Sequence, residues 1–241
     1  MQRWEPSSRW VRAEFGGEVV ADSKGPFLIW EAPYPTTYAV PRSDVAEGVL
    51  RESATVASDR LLFDLHVGDR NAEAAAWQYT GLIGGDTALL DAIAFDWSAI
   101  DRWREEEQTI FRHPRDPHHR VDAIESLRHV QVRVGGEVVA DTHRPMLVFE
   151  TNLPTRYYLP AADVRMELFE PSSYVTSCPY KGEATYRSVR AGGVLHENIV
   201  WTYEDPIAEV AKLRDLLALY DEKVDVTVDG ELQSRPVTLW S

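Results

Sequence analysis

The sequence predicts a mainly β fold with one helix per repeat, built as two tandem copies of one small domain. Three observations carry this. Residues 11–45 recur at 130–164, a shift of 119 (130 − 11), with 17 of 35 positions identical and no gap, and self-similarity at a fixed shift marks a repeated unit. Short runs alternate apolar and polar residues and stop at glycine pairs or prolines, the pattern of half-buried strands. One stretch in each copy carries its apolar residues at helical spacing instead.

The elements follow in order, most clearly in the second copy. Val130-Gln131-Val132-Arg133-Val134 alternates, and Gly135-Gly136 turns it into Glu137–Ala140. Met146–Phe149 and Tyr157–Leu159 read as further short strands. Ala184–Arg190 and Val194–His196 flank Gly192-Gly193 and read as a hairpin. Asp205 is placed to cap a helix whose first position is Pro206, and Ile207, Val210, Leu213, Leu217 and Tyr220 form its apolar stripe. In the first copy Asp86 is the corresponding cap, with Leu89, Leu90, Ile93 and Trp97 on the buried face. Val224, Val226 and Val228 alternate before a hairpin at Asp229-Gly230, and the matching stretch of the first copy runs from Ile100 to Trp103 into acidic residues.

These readings give domains at 1–112 and 121–241, joined by a proline- and histidine-rich linker at 113–120. Beyond the shared segment the shift becomes 124 (192 − 68), which pairs Gly68 with Gly192, Trp77 with Trp201 and Tyr79 with Tyr203. The first copy therefore lacks five residues (124 − 119), and Cys178-Pro179-Tyr180-Lys181-Gly182 is the segment with no counterpart. The first copy reads as a degenerate repeat with a structural or regulatory part, and the second as the one that carries function.

Composition narrows the classes. The 241-residue chain has 25 basic and 39 acidic residues, net charge −14, a field that repels nucleic acid. The densest basic run, Arg112–Arg120, contains an aspartate and follows three glutamates. No run of 18 apolar residues exists, and Met-Gln-Arg-Trp-Glu-Pro has no signal-peptide core, so neither a membrane span nor secretion is expected. A single cysteine, Cys178, forms no internal disulfide and no multi-thiolate zinc site. A cytoplasmic location is the corresponding expectation. No cofactor and no metal site are expected. His113, His118 and His119 sit among prolines and arginines, Asp225 falls on the polar face of a strand, and Asp229 belongs to a turn. Neither a phosphate loop nor a dinucleotide fingerprint is present.

Four ordered motifs in the second copy carry a resemblance. They are Gly-Gly-Glu-Val-Val-Ala-Asp at 135–141, Phe-Glu-Thr-Asn-Leu-Pro-Thr-Arg-Tyr-Tyr at 149–158, Thr-Ser-Cys-Pro-Tyr-Lys-Gly at 176–182 and Trp-Thr-Tyr-Glu-Asp-Pro at 201–206. Together they resemble the domain-of-unknown-function family 427 over nearly all of residues 128–231, and the first copy resembles it more weakly. The resemblance implies two tandem β-tent-like domains. Zinc-bound members of that fold group use paired cysteines, which this chain lacks. A nucleotidyltransferase-like label goes with the family, without an established reaction. Its two-copy form is typical of high-GC actinobacteria, in keeping with only four lysines among the 25 basic residues.

The candidate site residues are those particular to the second copy. Cys178 with Lys181 is the catalytic candidate, since a nearby lysine can lower a thiol pKa, against the bland reading of a small buried hydrophobe. His143 and His196 lie in the same repeat as candidate bases. Glu150 and Arg156 can pair with each other or line a polar pocket; Glu31 keeps the acid in the first copy, whereas Thr37 replaces Arg156. Trp201 and Tyr203 recur as Trp77 and Tyr79, which favours packing over a binding wall. Glu204 becomes Thr80 and has no packing role to explain it. The leading expectation is a pocket for a small polar molecule made by Glu150, Arg156, Tyr157, Cys178, Tyr180, Lys181, Trp201, Tyr203 and Glu204. The alternatives are an enzyme using the Cys178–Lys181 loop, covalently or as a transferase, and an acidic module that engages a protein partner.

Overall fold

The computed structural model describes residues 2–32, 35–83 and 87–241. It divides into two compact units, Met1–Asp116 and Pro117–Ser241, with the division inside the segment read as the linker. Among the described residues each unit holds one seven-stranded and one four-stranded antiparallel sheet.

In the first unit the strands are β1 (Gln2–Pro6), β2 (Val11–Phe15), β3 (Glu18–Ser23), β4 (Phe27–Glu31), β5 (Thr37–Pro41), β6 (Leu50–Glu52), β7 (Arg60–Val67), β8 (Arg70–Tyr79), β9 (Ala92–Phe95), β10 (Arg102–Glu105) and β11 (Gln108–Ile110). The large sheet runs β1-β4-β5-β9-β8-β7-β6 and the small one β11-β10-β2-β3. The second unit repeats this with β12 (Val121–Glu125), β13 (Val130–Val134), β14 (Glu137–Thr142), β15 (Met146–Glu150), β16 (Arg156–Leu159), β17 (Phe169–Cys178), β18 (Gly182–Ala191), β19 (Val194–Thr202), β20 (Leu217–Leu219), β21 (Asp225–Val228) and β22 (Glu231–Leu232). Its sheets run β12-β15-β16-β20-β19-β18-β17 and β14-β13-β21-β22.

Strand alternation explains the layers. On β13 and β21, Val130, Val132, Val134, Val226 and Val228 face inward and meet Leu159, Val189, Val200, Leu217 and Leu219 of the large sheet in one core. The glycine pair between β13 and β14 is required where it is. Gly135 and Gly136 have φ of 56° and 83°, the left-handed region that glycine occupies without steric cost. Gly192 lies so close to it that a Cβ would meet the Gly135 carbonyl oxygen at 2.7 Å.

The helical segment of each copy is present in a shorter form than the apolar spacing implied. It is a 3-10 turn, Ala88–Asp91 in the first unit and Ala208–Leu213 in the second. The rest of each stripe is strand: Ile93 lies on β9 and Leu217 on β20. Asp215, with φ of 60°, ends the turn, and β20 then inserts between β16 and β19 and pairs with both. Two ladders of backbone hydrogen bonds outweigh the helical continuation, because a buried strand must satisfy both edges. Asp205 is consequently no cap: Ile207 occupies the N-cap position without a side-chain bond, and the Asp205 carboxylate pairs with Arg214 at 3.0 Å. Asp86 lies outside the described residues.

The five extra residues of the second copy lengthen a hairpin. β17 and β18 each have ten residues, whereas β6 has three and β7 eight. Among the described residues no helix is long and apolar enough to cross a membrane.

Candidate functional site

The large sheet of the second unit has a second buried face, opposite the valine core. Alternation puts Val148 and Glu150 of β15, Arg156 and Tyr158 of β16, Ala218 of β20 with Tyr220 just beyond it, and Trp201 with Tyr203 at the end of β19 on this side. One rung crosses the sheet as Met146, Tyr158, Ala218, Trp201 and Tyr186. The small Ala218 leaves space for the edge-on contact of Tyr158 with Trp201, whose rings are 6.1 Å apart at 88°. The Trp201 indole N–H donates to the Tyr158 hydroxyl at 2.9 Å. Tyr203 stacks on Tyr158 at 6.5 Å. Burial pushes the hydroxyls of Tyr158 and Tyr203 far above the ordinary tyrosine range, so both act as neutral hydrogen-bonding groups.

Two sets of charges sit on this face. The first is carried by the inserted hairpin. Gly182 closes its turn at φ of 104°, where a Cβ would lie 3.2 Å from the Asp205 carbonyl oxygen, and the Lys181 carbonyl accepts from the Ile207 N–H at 3.1 Å. Docked in this way, the turn points the Lys181 ammonium at Glu150, with which it forms a salt bridge. The same carboxylate meets His119 Nε2 at 3.1 Å, and the His119 ring stacks on Tyr180 at 4.0 Å. The side chains of Lys181 and Glu150 are 10% and 7% exposed, so this is a buried ion pair.

The second set centres on Arg156. Its guanidinium donates to both carboxylate oxygens of Glu222, at 2.8 and 2.5 Å, and lies 3.6 Å from Asp221. Thr238 donates to Glu222 at 2.6 Å. Trp201 and Trp240 each lie 5.8 Å from the guanidinium carbon. Glu222 is raised by burial, but the bonds from Arg156 and Thr238 outweigh this and hold it below the usual carboxylate range. Asp221 goes the other way. Its burial, with the like charge of Glu222 acting against the pull of Arg156, pushes its carboxyl up to about 7.

That value fixes a pH dependence. The folded state holds a proton on Asp221 that the unfolded chain, with its ordinary value of 3.8, has already released. Stability of the second unit therefore falls as pH rises from about 4 to about 7 through this group. Asp221→Asn is expected to remove that slope and to stabilise the unit at pH 8 by on the order of 2 kcal/mol, a discounted conversion of the shift. Urea denaturation at pH 5 and pH 8 checks it; an unchanged slope in the variant refutes the assignment.

A cavity of about 220 Å³ opens beside Asp221, lined by Pro154, Thr155, Tyr157, Val224, Gln233 and Ser234 among others. Tyr157 points to the valine-core side of β16, opposite to Arg156, and burial together with the charge of Asp221 raises its hydroxyl above the ordinary range.

A family model described as Domain of unknown function (DUF427) matches residues 3–106 and again residues 122–230. The chain belongs to this family. No curated protein matches it.

Comparing the two DUF427 repeats sorts the predicted site residues. Glu150 and Lys181 come together, with Tyr180 one stacking contact away through His119. Arg156 pairs with Glu222, not with Glu150, so the two candidate charges belong to different sets. Trp201 lies beside Arg156 and donates to Tyr158, and with Tyr203 it belongs to the apolar cluster of this face. Glu204 is at the surface, accepting from Thr185 at 3.1 Å. Cys178 is half-buried at the end of β17, within electrostatic reach of Tyr158 and Tyr203. Of the candidate bases, His143 stacks on His129 at 4.2 Å and His196 lies against the Gly135 turn.

In the first DUF427 repeat Glu31 keeps its place and accepts from Arg60 at 2.9 Å and from Tyr79 at 3.0 Å. Ala39 stands where Tyr158 does, so the Trp77 indole lacks that acceptor. Residues that sequence reasoning missed are His119, Asp221 and Glu222. His119 falls in the proline- and histidine-rich linker segment, yet its side chain is 19% exposed and is built into the Glu150 pair. Asp221 and Glu222 align with Trp97 and Ser98, a copy-specific difference that the shift of 124 exposes. A group apart from these, His129, Asp141 and His143, is the one cluster among the described residues that brings three metal-ligating atoms together.

Proposed function

We propose that the second DUF427 repeat binds a small polar molecule in the cavity bounded by Tyr157 and Asp221. The observation that carries this reading is the cavity itself, whose lining brings together Tyr157, Thr155, Gln233, Ser234 and Asp221, a nearly buried carboxyl that changes charge near neutrality. The polar groups converge on a wall completed by Pro154, Val224, Val226 and Pro236, and a few placed polar groups are what orient a ligand in a pocket. Its volume of about 220 Å³ is that of roughly seven water molecules in the liquid, which suits a ligand the size of an amino acid, a nucleobase or a monosaccharide. Asp221 accepts from an N–H or O–H donor when ionised and donates when protonated, so affinity is to change across neutral pH. Arg156 supports the site from behind through Asp221 and does not touch the ligand.

The covalent reading of Cys178 and Lys181 is less well supported, because Lys181 is already held by Glu150 as a buried ion pair. A cytoplasmic location belongs to this reading as its setting. The test is a thermal-shift panel of amino acids, nucleosides and monosaccharides against wild type, Tyr157→Phe and Asp221→Asn. A ligand present at about 100 times its Kd stabilises by about 2.7 kcal/mol, and that shift is expected to collapse in Asp221→Asn. A hit that both cavity variants bind as well as wild type sinks this location.

A further inference from the structure

The small sheet of the second unit carries a feature the large sheet does not. In the β13–β14 hairpin Gln131 pairs with Asp141 and Val130 with Thr142. The register continued by one residue sets His129 opposite His143. Alternation then places His129, Gln131, Asp141 and His143 on one face, while Val130, Val132, Ala140 and Thr142 turn into the core. His129 Nε2 lies 2.7 Å from Asp141 Oδ1, and the two imidazoles stack at 4.2 Å. The ligating atoms of all three residues lie within 4.8 Å of one another.

We propose that His129, Asp141 and His143 form a binding site for a divalent transition-metal ion of the zinc class. Two imidazoles and one carboxylate are a ligand set suited to zinc, cobalt or nickel, with the remaining positions taken by water. Metal–ligand bonds of about 2.0–2.1 Å place neighbouring ligand atoms roughly 3.4 Å apart. Side-chain rotation reaches this from the observed positions: the His129–Asp141 contact opens slightly, and the stacked rings tilt so that their lone pairs converge. The hairpin backbone stays as it is. A supporting shell is in place. The Gln131 amide donates to the second Asp141 oxygen at 2.9 Å, and Arg133 donates to the Gln131 carbonyl oxygen at 2.9 Å. Such outer bonds orient a ligating carboxylate.

The first repeat supplies an internal contrast. The shift of 119 puts Trp10, Asp22 and Lys24 at the three positions. There the Trp10 indole donates to Asp22 at 2.6 Å, and the Lys24 ammonium lies 5.0 Å from the Trp10 ring. The aspartate and its hydrogen bond from the neighbouring ring persist, but an indole and an ammonium cannot ligate a metal. A hairpin rim that only needs a ring, a carboxylate and a partner for the ring is satisfied by that set; the second repeat has histidine at both variable positions.

The experiment is calorimetric titration of the full chain with zinc chloride, repeated with cobalt(II) followed by visible absorption. Wild type is expected to bind one equivalent at this site. The variant His129→Trp/His143→Lys, which installs the first repeat's own residues, is expected to fold and to lose that equivalent. Single His143→Ala and Asp141→Asn variants are expected to weaken it by roughly tenfold or more. Saturable binding that persists at wild-type affinity in the double variant overturns the proposal, as does the lack of any saturable binding to wild type. Far-UV circular dichroism confirms that each variant is folded, and His143→Ala, altering one exposed side chain, decides the matter if the double variant is not.

Discussion

Glu222→Ala is expected to destabilise the second unit by about 3 kcal/mol, the lower end of the cost of stranding one member of a buried ion pair. The Glu222 side chain is fully buried and takes two hydrogen bonds from Arg156 and one from Thr238. Alanine leaves the guanidinium in the same enclosure without its principal counter-charge. The cost stays at the low end because Asp221, 3.6 Å away, ionises more readily once the like charge of Glu222 is gone. The first repeat shows what removal of both partners looks like, with Thr37 and Ser98 at the two positions. Arg156→Thr/Glu222→Ser is therefore expected to cost less than Glu222→Ala alone, since the guanidinium is gone and Asp221, without Arg156 to favour its charged form, stays protonated in its buried position. Urea midpoints for the second unit at constant m-value measure this. A double variant whose loss equals or exceeds the sum of the single losses refutes the pairing account.

Much of this architecture was legible because strands and turns write local signals. Val130, Val132 and Val134 declare a buried face by alternation, and Gly135-Gly136 declares the turn by its φ requirement. The repeat and its five-residue difference located the longer hairpin that carries Lys181. The β20 segment was not legible in the same way. Leu213 and Leu217 are spaced as on a helix, and only their neighbours β16 and β19 decide that Leu217 belongs to a ladder. The candidate site was legible in its residue types and not in its partners. Glu150 and Arg156 stand six residues apart, yet they answer to Lys181 and Glu222, brought in by turns that follow β17 and β20. Composition in the Pro- and His-rich segment hid His119, whose position depends on the edge strand β12 that follows it. The metal-ligating triad fell between two readings. His143 entered as a possible base for Cys178, while the register that sets it against His129 comes from the hairpin.

The second large loss is expected at Glu150. Glu150→Ala strands the Lys181 ammonium, whose side chain is 10% exposed, and is expected to cost about 3 kcal/mol. Lys181→Met is expected to cost roughly 1 kcal/mol, because methionine keeps the apolar stem and Glu150 retains His119 at 3.1 Å as a partner. The first repeat sets the scale. Glu31→Ala is expected to cost less than Glu150→Ala, since Arg60 is 21% exposed and also holds Asp59 at 2.7 Å. Three denaturation curves thus give an order: Glu150→Ala worst, then Glu31→Ala, then Lys181→Met. That order follows only if the inserted hairpin is fixed by its own ion pair. If Lys181→Met proves the most damaging, Lys181 is engaged by more than Glu150. The hairpin then regains its claim to the chemistry, with the ammonium rather than the Asp221 cavity as the group to probe.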